Sequence, residues 1–236
     1  MENYVFINGR KTIISDEQAE ALAAIVPEAR KMELSPSEVS RIVREGEARN
    51  HFKIHDVLRF GELELEVIGF DHDKHEDNPD RPTMTVLGKQ IIERRAMHRG
   101  DCPRGWIDAD LRKWLNEEAL FSLPGDLREV IIPVKRHSVN SEGKLFVTVD
   151  RLFVPSESEL FGSAILSARE AGERYEAFAT SEDRVRFDAD GDSWFWWCSS
   201  SRAGYSGTFT AVTSGGHPSL HAATYAYVGA PLCFSF

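Results

Sequence analysis

Cysteine is scarce in this chain, and long apolar runs are missing from it. The 236 residues include Cys102, Cys198 and Cys233, and this odd number with long spacings excludes a disulfide framework or a paired zinc knuckle. We expect buried thiols, with a Cys198–Cys233 disulfide as the alternative. No run of about 18 apolar residues occurs, and the N-terminus lacks the basic and then apolar order of a signal peptide. The sequence therefore predicts no membrane insertion and no Sec-type export.

Basic residues are too few to form a surface for nucleic acid. The formal net charge is -10, the sequence pI is about 5.3, and no Lys/Arg stripe offsets the acidic excess. Such a surface repels phosphate backbones, so we exclude nucleic acid as a partner. Hydrophobic residues make up 42% of the chain. At this length they support a substantial core, in one large domain or in a small and a large one.

Catalytic motifs are missing as well. The sequence contains no Gly-rich phosphate loop, no dinucleotide fingerprint and no His-Glu-x-x-His. Residues 204–207, Gly-Tyr-Ser-Gly, are one residue short of a nucleophile elbow. His217 and His221 are four residues apart, but the spacing indicates no third metal ligand. We therefore expect that the protein is not an enzyme and holds no cofactor or metal.

Two acidic segments resemble calcium loops only in part. In the segment that starts at Asp71, the sixth position is Glu76 rather than Gly, and the twelfth is Pro82 rather than Glu. In residues 188–192 the Gly is misplaced, and no closing carboxylate follows. We interpret both segments as solvated acidic loops.

Charge is almost absent after Trp197. Residues 198–236 contain no Lys, Glu, Gln, Met, Asp, Asn or Ile, and Arg202 is their one charged side chain. A segment poor in charge but rich in Tyr, Ser, Thr, His and Gly can hydrogen-bond and stack, which is typical of a recognition surface. The predicted ligand-binding residues are Ser201, Arg202, Tyr205, Ser206, Thr208, Thr210, His217, Ser219, His221, Tyr225 and Tyr227.

Residues 1–50 predict a small unit of one hairpin and two helices. Apolar β-formers at 4–7 and 11–14 flank Asn8-Gly9, which is a type I′ turn signal. A helix is predicted over 18–25, and a second one begins at Ser35-Pro36 and runs to about Ala48. The unit buries too little apolar area to fold alone. We therefore expect it to dock on the larger domain, to form a homo-oligomer or to attach the protein to a larger particle.

Residues 51–236 predict a second, larger domain of the α+β class. Apolar and polar residues alternate over 56–60 and 63–70, and the sheet continues at 84–87. The aromatic run at 194–197 is too bulky for a surface loop and predicts a buried central strand, with a substrate-stacking cluster as the alternative.

Two helices are predicted in the same domain. One covers 111–116, is capped by Asp108 or Asp110 and places Trp114 in the core. A shorter one covers 156–161 and begins with its own capping pattern.

Several segments, taken in order, resemble one known family. They are Gly69-Phe70-Asp71-His72-Asp73, Gly105-Trp106, Asp110-Leu111-Arg112-Lys113-Trp114-Leu115-Asn116, Leu123-Pro124, Asp150-Arg151-Leu152-Phe153-Val154-Pro155-Ser156-Glu157, Trp196-Trp197 and Gly229-Ala230-Pro231-Leu232-Cys233-Phe234. The family consists of uncharacterised domains that are abundant in gut bacteria and their phages, and the resemblance covers about residues 52–236. It implies a C-type lectin-like fold, similar to that of formylglycine-generating enzymes, for the part of the chain that follows the small N-terminal unit.

Some members of that family resemble the variable proteins of diversity-generating retroelements. In those retroelement systems, mutagenesis of adenines changes asparagine codons of the template to codons for nearly any residue except Lys, Glu, Gln, Met and Trp. These five residue types are missing after Trp197. The resemblance implies a diversified, receptor-binding surface at about residues 198–233. It also implies a protein or carbohydrate partner on a cell surface and a location in a phage virion or the bacterial cytoplasm. In that setting, residues 1–50 would attach the protein to the virion or form a homo-oligomer.

The chain departs from the family pattern at two arginines. It has Trp196-Trp197-Cys198-Ser199-Ser200 where the family often has Trp-Trp-Leu-Arg-Ser, and Gly229-Ala230-Pro231 where the family often has Gly-Val-Arg-Pro. Cys198 and Cys233 are too far apart to match the closely spaced copper-binding cysteines of formylglycine-generating enzymes. An oxidase of that type is therefore the weaker alternative, after an invariant carbohydrate- or protein-binding module of the same fold.

Overall fold

The fold is a mixed α+β arrangement, mostly sheet with short helices, which confirms the predicted class. The computed structural model describes residues 4–7, 10–13, 15, 31–169 and 172–236. The strands are β1 (Tyr4–Ile7), β2 (Arg10–Ile13), β3 (Lys31–Met32), β4 (Val57–Phe60), β5 (Leu63–Phe70), β6 (Lys74–His75), β7 (Met84–Arg94), β8 (Val134–Val139), β9 (Leu145–Asp150), β10 (Arg186–Phe187), β11 (Ser193–Trp194), β12 (Trp196–Ser201), β13 (Thr208–Val212), β14 (Pro218–Ala222) and β15 (Gly229–Ser235).

The helices are short and lie outside the sheets. They are α1 (Pro36–Arg44), α2 (Ala48–His51), α3 (Asp110–Trp114), α4 (Leu120–Ser122), α5 (Gly125–Val130) and α6 (Glu157–Phe161). Two 3₁₀ turns cover Gly105–Asp108 and Glu182–Arg184, and a π-helical turn, Leu115–Ala119, joins α3 to α4.

The largest sheet has the strand order β14-β13-β12-β15-β7-β5-β4-β3. Neighbours in this order are antiparallel except for β12 with β15 and β3 with β4. Beside this order, β10 pairs in parallel with β7 and antiparallel with β11. Strands β12 and β15 are buried along their whole length, as expected for strands covered on both faces. A second sheet has the order β6-β8-β9, and β1 pairs with β2 in a separate hairpin.

The N-terminal predictions have mixed outcomes. Strands β1 and β2 pair as predicted, while the helix predicted over 18–25 lies outside the described residues. Helix α1 begins where predicted, because Ser35 and Glu38 form a capping box, but it ends at Arg44. Strand β3 joins the largest sheet, and the buried face of α1 belongs to the same hydrophobic core as the rest of the molecule. Residues 31–51 therefore pack on the larger body.

The predicted helix at residues 111–116 exists, but the predictions for its cap and its tryptophan were wrong. Neither Asp108 nor Asp110 caps α3, because Ala109 holds the N-cap position and the Asp110 carboxylate accepts a hydrogen bond from the Arg99 N–H at 3.1 Å. Trp114 is only partly buried and packs at the edge of the core. The guanidinium of Arg95 lies 4.5 Å from the centre of its ring.

A buried polar network links several of the segments that carry the family resemblance. Both carboxylate oxygens of Asp150 are engaged, one by Trp106 Nε1 and Thr148 Oγ1 and the other by Arg112 Nε at 2.6 Å. The Asn116 Oδ1 accepts from the backbone N–H groups of the two residues after Asp150. These segments therefore brace α3 against the end of β9.

The predicted buried thiols are confirmed. Cys102, Cys198 and Cys233 are all buried, and no disulfide joins Cys198 to Cys233. Among the residues that the structure describes, no helix is both long enough and apolar enough to cross a bilayer.

Candidate ligand-binding site

The aromatic run at 194–197 divides between core and surface. Trp196 and Trp197 are fully buried in β12, and their indole N–H groups donate to backbone carbonyls. Trp194 and Phe195 precede β12 and are only partly buried. The predicted central strand is therefore confirmed for the second half of the run and wrong for the first half.

A later segment of the chain returns to Trp194 and Phe195. Residues 223–228 run back from the end of β14 to the start of β15. The Ala223 N–H donates to the Gly207 carbonyl at 2.8 Å, and the Val228 carbonyl accepts from the Arg95 N–H at 3.1 Å. Both ends of this return segment are therefore fixed to neighbouring backbone.

The return segment and the end of the aromatic run enclose a cavity of about 420 Å³, the aromatic cavity. Its lining is Ser193, Trp194, Phe195, Ser214, His221, Tyr225, Tyr227 and Val228. The ring of His221 stacks on Tyr225 with centroids 5.5 Å apart, and Phe195 meets His221 edge-on at 5.4 Å. Most of the wall is aromatic, so the cavity offers rigid contact area with few polar groups.

His221 contributes a neutral imidazole to this wall. Burial lowers the pKa of His221 below its ordinary value, because an apolar environment disfavours the charged ring. Its Nε2 is buried and has no hydrogen-bond partner within the described part of the chain. A ligand group that reaches this nitrogen would satisfy it.

Trp194 is held in place from two directions. Its indole N–H donates to the Tyr227 carbonyl at 2.7 Å, and the Arg94 guanidinium lies 3.7 Å from the centre of its ring. Arg94 in turn forms an ion pair with the buried carboxylate of Asp188 at 2.6 Å. The position of Trp194 is therefore set before any ligand binds.

A second exposed cluster lies at the turn between β12 and β13. The Arg202 guanidinium stacks over the Tyr205 ring at 4.0 Å, and Tyr205 is 56% exposed. The turn is braced by hydrogen bonds from the Gly204 N–H to the Ser141 carbonyl and from the Cys102 N–H to the Ser206 carbonyl. Arginine and tyrosine of this kind are common at binding hot spots.

The structure brings some of the predicted ligand-binding residues together and separates others. His221, Tyr225 and Tyr227 meet in the aromatic cavity, and Ser219 shares the strand face of His221. Thr208 points to the opposite face, because the residue that pairs with His221 is its neighbour Phe209. Arg202, Tyr205 and Ser206 form the β12–β13 turn, and His217 is exposed at the β13–β14 turn.

Two predicted contact residues were wrong. Ser201 and Thr210 have no exposed surface, because β12 and β13 are interior strands at these positions. Thr210 Oγ1 donates to the Ser200 carbonyl. Trp194 and Phe195, for which a stacking cluster was the alternative prediction, line the aromatic cavity.

The two acidic segments are exposed at most of their positions, as predicted, but each contains one buried carboxylate that the prediction did not anticipate. Asp73 is buried and accepts hydrogen bonds from Arg136, Thr85 and Tyr175. Asp188 is buried, pairs with Arg94 and accepts backbone N–H groups from its own loop. Within the described residues, no group of three or more His, Cys, Asp or Glu is arranged to hold a metal ion.

The comparison with protein families places this site in a defined domain. The family model described as a domain of unknown function, DUF6273, matches residues 82–235, which is more than half of the chain. The chain belongs to this family. No curated protein and no solved structure matches it. The DUF6273 domain contains the whole lining of the aromatic cavity and the β12–β13 turn, so both candidate contact surfaces are parts of the family domain itself.

Proposed function

We propose that this chain is a ligand-binding protein that recognises its partner with the aromatic cavity and the adjoining β12–β13 turn. The observation that supports this function is the aromatic wall formed by Trp194, Phe195, His221, Tyr225 and Tyr227. Tyr227 is 65% exposed and Tyr225 is 47% exposed, so the cavity opens onto rigid aromatic contact area. Such residues bind with little loss of conformational entropy.

A protein partner on a cell surface fits this cavity better than a carbohydrate does. Sugar hydroxyl groups that lose water need matched hydrogen bonds. The cavity lining contains no carboxylate and no side-chain amide, and its few polar side chains include Ser193 and Ser214. An apolar or aromatic side chain of a protein partner would lose little on entering. A carbohydrate partner is the alternative.

We further propose a C-type lectin-like scaffold with a C-terminal surface diversified by a retroelement. The division between buried Trp196 and Trp197 and exposed Tyr205, Tyr225 and Tyr227 supports it, because exposed positions can vary without loss of core packing. The test is genomic. A near-copy of the 3′ end of the gene, differing at adenines and lying beside a reverse transcriptase gene, is expected, and a complete genome without one refutes the diversification.

Binding without catalysis is part of the same proposal. Ser206 lies in a turn between two strands rather than between a strand and a helix. Burial and the carboxylates of Asp108 and Asp110 raise the pKa of Cys102 to about 11, which keeps the thiol protonated and unreactive. Attachment to a virion or self-association through residues 1–50 remains a proposal of the same kind.

The experiment compares cell-surface binding by the wild type and by Tyr225→Ala/Tyr227→Ala. Labelled protein is applied to bacterial cells, to a glycan array and to cells stripped of surface protein by protease. We expect the double variant to lose at least about tenfold in apparent affinity, while the free energy of unfolding changes by less than about 1 kcal/mol. Phe121→Ala is the control, because Phe121 is an exposed aromatic residue outside the cavity. Unchanged binding by the double variant contradicts the proposal.

A library tests whether the surface can vary. Tyr205, His217, His221, Tyr225 and Tyr227 are randomised together, and clones are screened for folded, soluble protein. We expect most clones to fold, because these side chains lie outside the fully buried core. A majority of insoluble clones would count against a display surface.

A further inference from the structure

A second cavity lies between α1, the loop after β6 and the segment before β8. Its volume is about 480 Å³. The lining is Ser40, Arg44, His75, Arg81, Glu129, Val130, Ile131, Ile132, Pro133 and Arg151. It shares no residue with the aromatic cavity, so the two cavities can be tested separately.

The three arginines of this basic cavity have no carboxylate partner among the described residues. The cavity collects Arg44, Arg81 and Arg151 in a chain whose net charge is -10. Within residues 31–169 and 172–236, no carboxylate forms an ion pair with any of the three. Arg41, one turn earlier on α1, pairs with Glu45 at 2.7 Å. The one acidic residue in the lining, Glu129, leaves a local excess of positive charge.

Part of this excess positive charge is withdrawn from water, because Arg81 and Arg151 are half-buried while Arg44 is exposed. Arg81 Nε is buried and has no hydrogen-bond partner among the residues that the structure describes. Burial, and then the charge of Arg44, lower the pKa of Arg81. Burial, and then the charge of Arg128, lower the pKa of Arg151. Like charges that are close together and partly shielded from water repel each other, and a bound anion relieves this repulsion.

The donors are already oriented. The Nε and Nη2 atoms of Arg151 donate to the Ile131 carbonyl at 3.1 and 3.0 Å, and Nη2 also donates to the Arg128 carbonyl. These bonds fix the plane of the guanidinium and leave its Nη1 atom to donate to a ligand. His75 Nδ1 accepts two backbone N–H groups, both at 3.2 Å, so the ring proton is assigned to Nε2, where it can be donated. A fixed set of guanidinium and imidazole donors matches the oxygens of a tetrahedral oxyanion.

We propose that the basic cavity is a binding site for a phosphate-class oxyanion, either free phosphate or the phosphate group of a small molecule. Arg44 and Arg81 supply the charge that the anion neutralises, and His75 and Arg151 supply oriented donors.

The test measures binding of inorganic phosphate by calorimetry and by thermal unfolding at constant ionic strength, with chloride as the reference anion. We expect phosphate to raise the melting temperature of the wild type above its value in chloride. Arg44→Gln and Arg81→Gln should each raise the Kd for phosphate about tenfold or more, since each removes a charge-assisted contact. Arg41→Gln on the same helix should leave the Kd unchanged.

The same variants distinguish a binding role from a structural one. In chloride, Arg44→Gln should melt at or above the wild-type temperature, because it removes a like charge from the cluster. Ribose 5-phosphate and glycerol phosphate serve as second probes, and tighter binding than inorganic phosphate would identify a phosphorylated small molecule as the ligand. The proposal is overturned if phosphate and chloride give equal melting temperatures, if Arg41→Gln weakens binding as much as Arg44→Gln, or if Arg44→Gln destabilises the protein in chloride.

Discussion

Asp150 is a fully buried carboxylate whose oxygens receive hydrogen bonds from Trp106, Arg112 and Thr148. Glu157 is similar, because its carboxylate accepts the backbone N–H groups of Ile165, Leu166 and Ser167 and so fixes the loop after α6. A buried charge is tolerated when its donors are complete, and removing one partner leaves the others uncompensated. Single acidic residues therefore hold segments that are distant in sequence.

Replacement of Asp150 tests this directly. We expect Asp150→Ala to lower the free energy of unfolding by about 3–5 kcal/mol, because it leaves Arg112 Nε and Trp106 Nε1 without their acceptor. Asp108→Ala is the matched control. Its carboxylate pairs with Arg104 at the surface, so the loss should be below about 1 kcal/mol. Urea unfolding of both variants provides the measurement, and equal losses would contradict a special role for Asp150.

The ion pair of His55 with Glu66 predicts a pH-dependent stability. The hydrogen bond to Glu66, at 2.8 Å, raises the pKa of His55, although burial opposes the shift. Because the pKa of His55 is higher in the folded protein than in the unfolded chain, its ion pair stabilises the fold fully at pH values below the unfolded pKa of about 6.5. This stabilisation is lost as the pH rises through the folded pKa of His55. Burial by itself raises the pKa of Glu66, but Arg186 and His55 lower it to about 2. The Glu66 contribution is therefore present above about pH 4.5 and lost as the pH falls towards 2.

We expect His55→Gln to reduce the free energy of unfolding at about pH 5.5 and to have a much smaller effect at about pH 9. Urea titrations at both pH values measure the difference. The same substitution in a Glu66→Gln background should show no such pH dependence, because the partner is gone. A His55→Gln effect of equal size at both pH values would refute the coupling.

The β13–β14 hairpin contains a glycine, Gly216, whose missing side chain permits a close contact with Ser181. Gly216 has a φ of +77°, and a Cβ at this position would lie 1.8 Å from the Ser181 carbonyl oxygen. The Gly216 carbonyl also accepts from Arg184 Nε at 2.9 Å. The hairpin that carries His217 and His221 therefore docks directly on the 3₁₀ turn at Glu182–Arg184.

A pair of alanine substitutions separates backbone strain from this docking. Gly204 has a φ of +75°, but a Cβ there meets nothing within 4 Å. Gly204→Ala should cost about 1–2 kcal/mol from the left-handed backbone alone. Gly216→Ala should cost about 3 kcal/mol or more, because the clash with Ser181 adds to the strain. Equal shifts in the urea midpoint would mean that the hairpin can move away from Ser181.

Elements with a local signal were predictable, and those that depend on distant contacts were not. The apolar–polar alternation that predicted β4 and β5 and the capping boxes that predicted α1 and α6 are local signals, and the structure contains all four elements. The cap of α3 was not predictable, because Asp110 is drawn to the Arg99 backbone by tertiary structure. The length of β7, which continues to Arg94, also depends on pairing with the remote strand β15.

On the scale of the whole molecule, composition indicated the region of the candidate site but not its geometry. The low charge after Trp197 predicted a recognition surface that includes Tyr225 and Tyr227. The return of residues 223–228 to Trp194 follows from the parallel pairing of β12 with β15, and no local pattern carries that information. The basic cavity was missed for the same reason, since Arg44, Arg81 and Arg151 come from three separate parts of the chain.

The three thiols provide a measure of whole-molecule opening. Cys102, Cys198 and Cys233 are each no more than 1% exposed, and burial raises the pKa of Cys102 and of Cys233. A thiol that is buried and protonated does not react until the structure opens. We expect Ellman's reagent to label no thiol in the native protein and all three in denaturant, and a reducing agent to leave the melting temperature unchanged. Labelling of Cys198 or Cys233 in the native protein, at a rate independent of denaturant, would show that the sheet opens locally around β12 and β15. A fall in melting temperature on reduction would show that a disulfide contributes to stability.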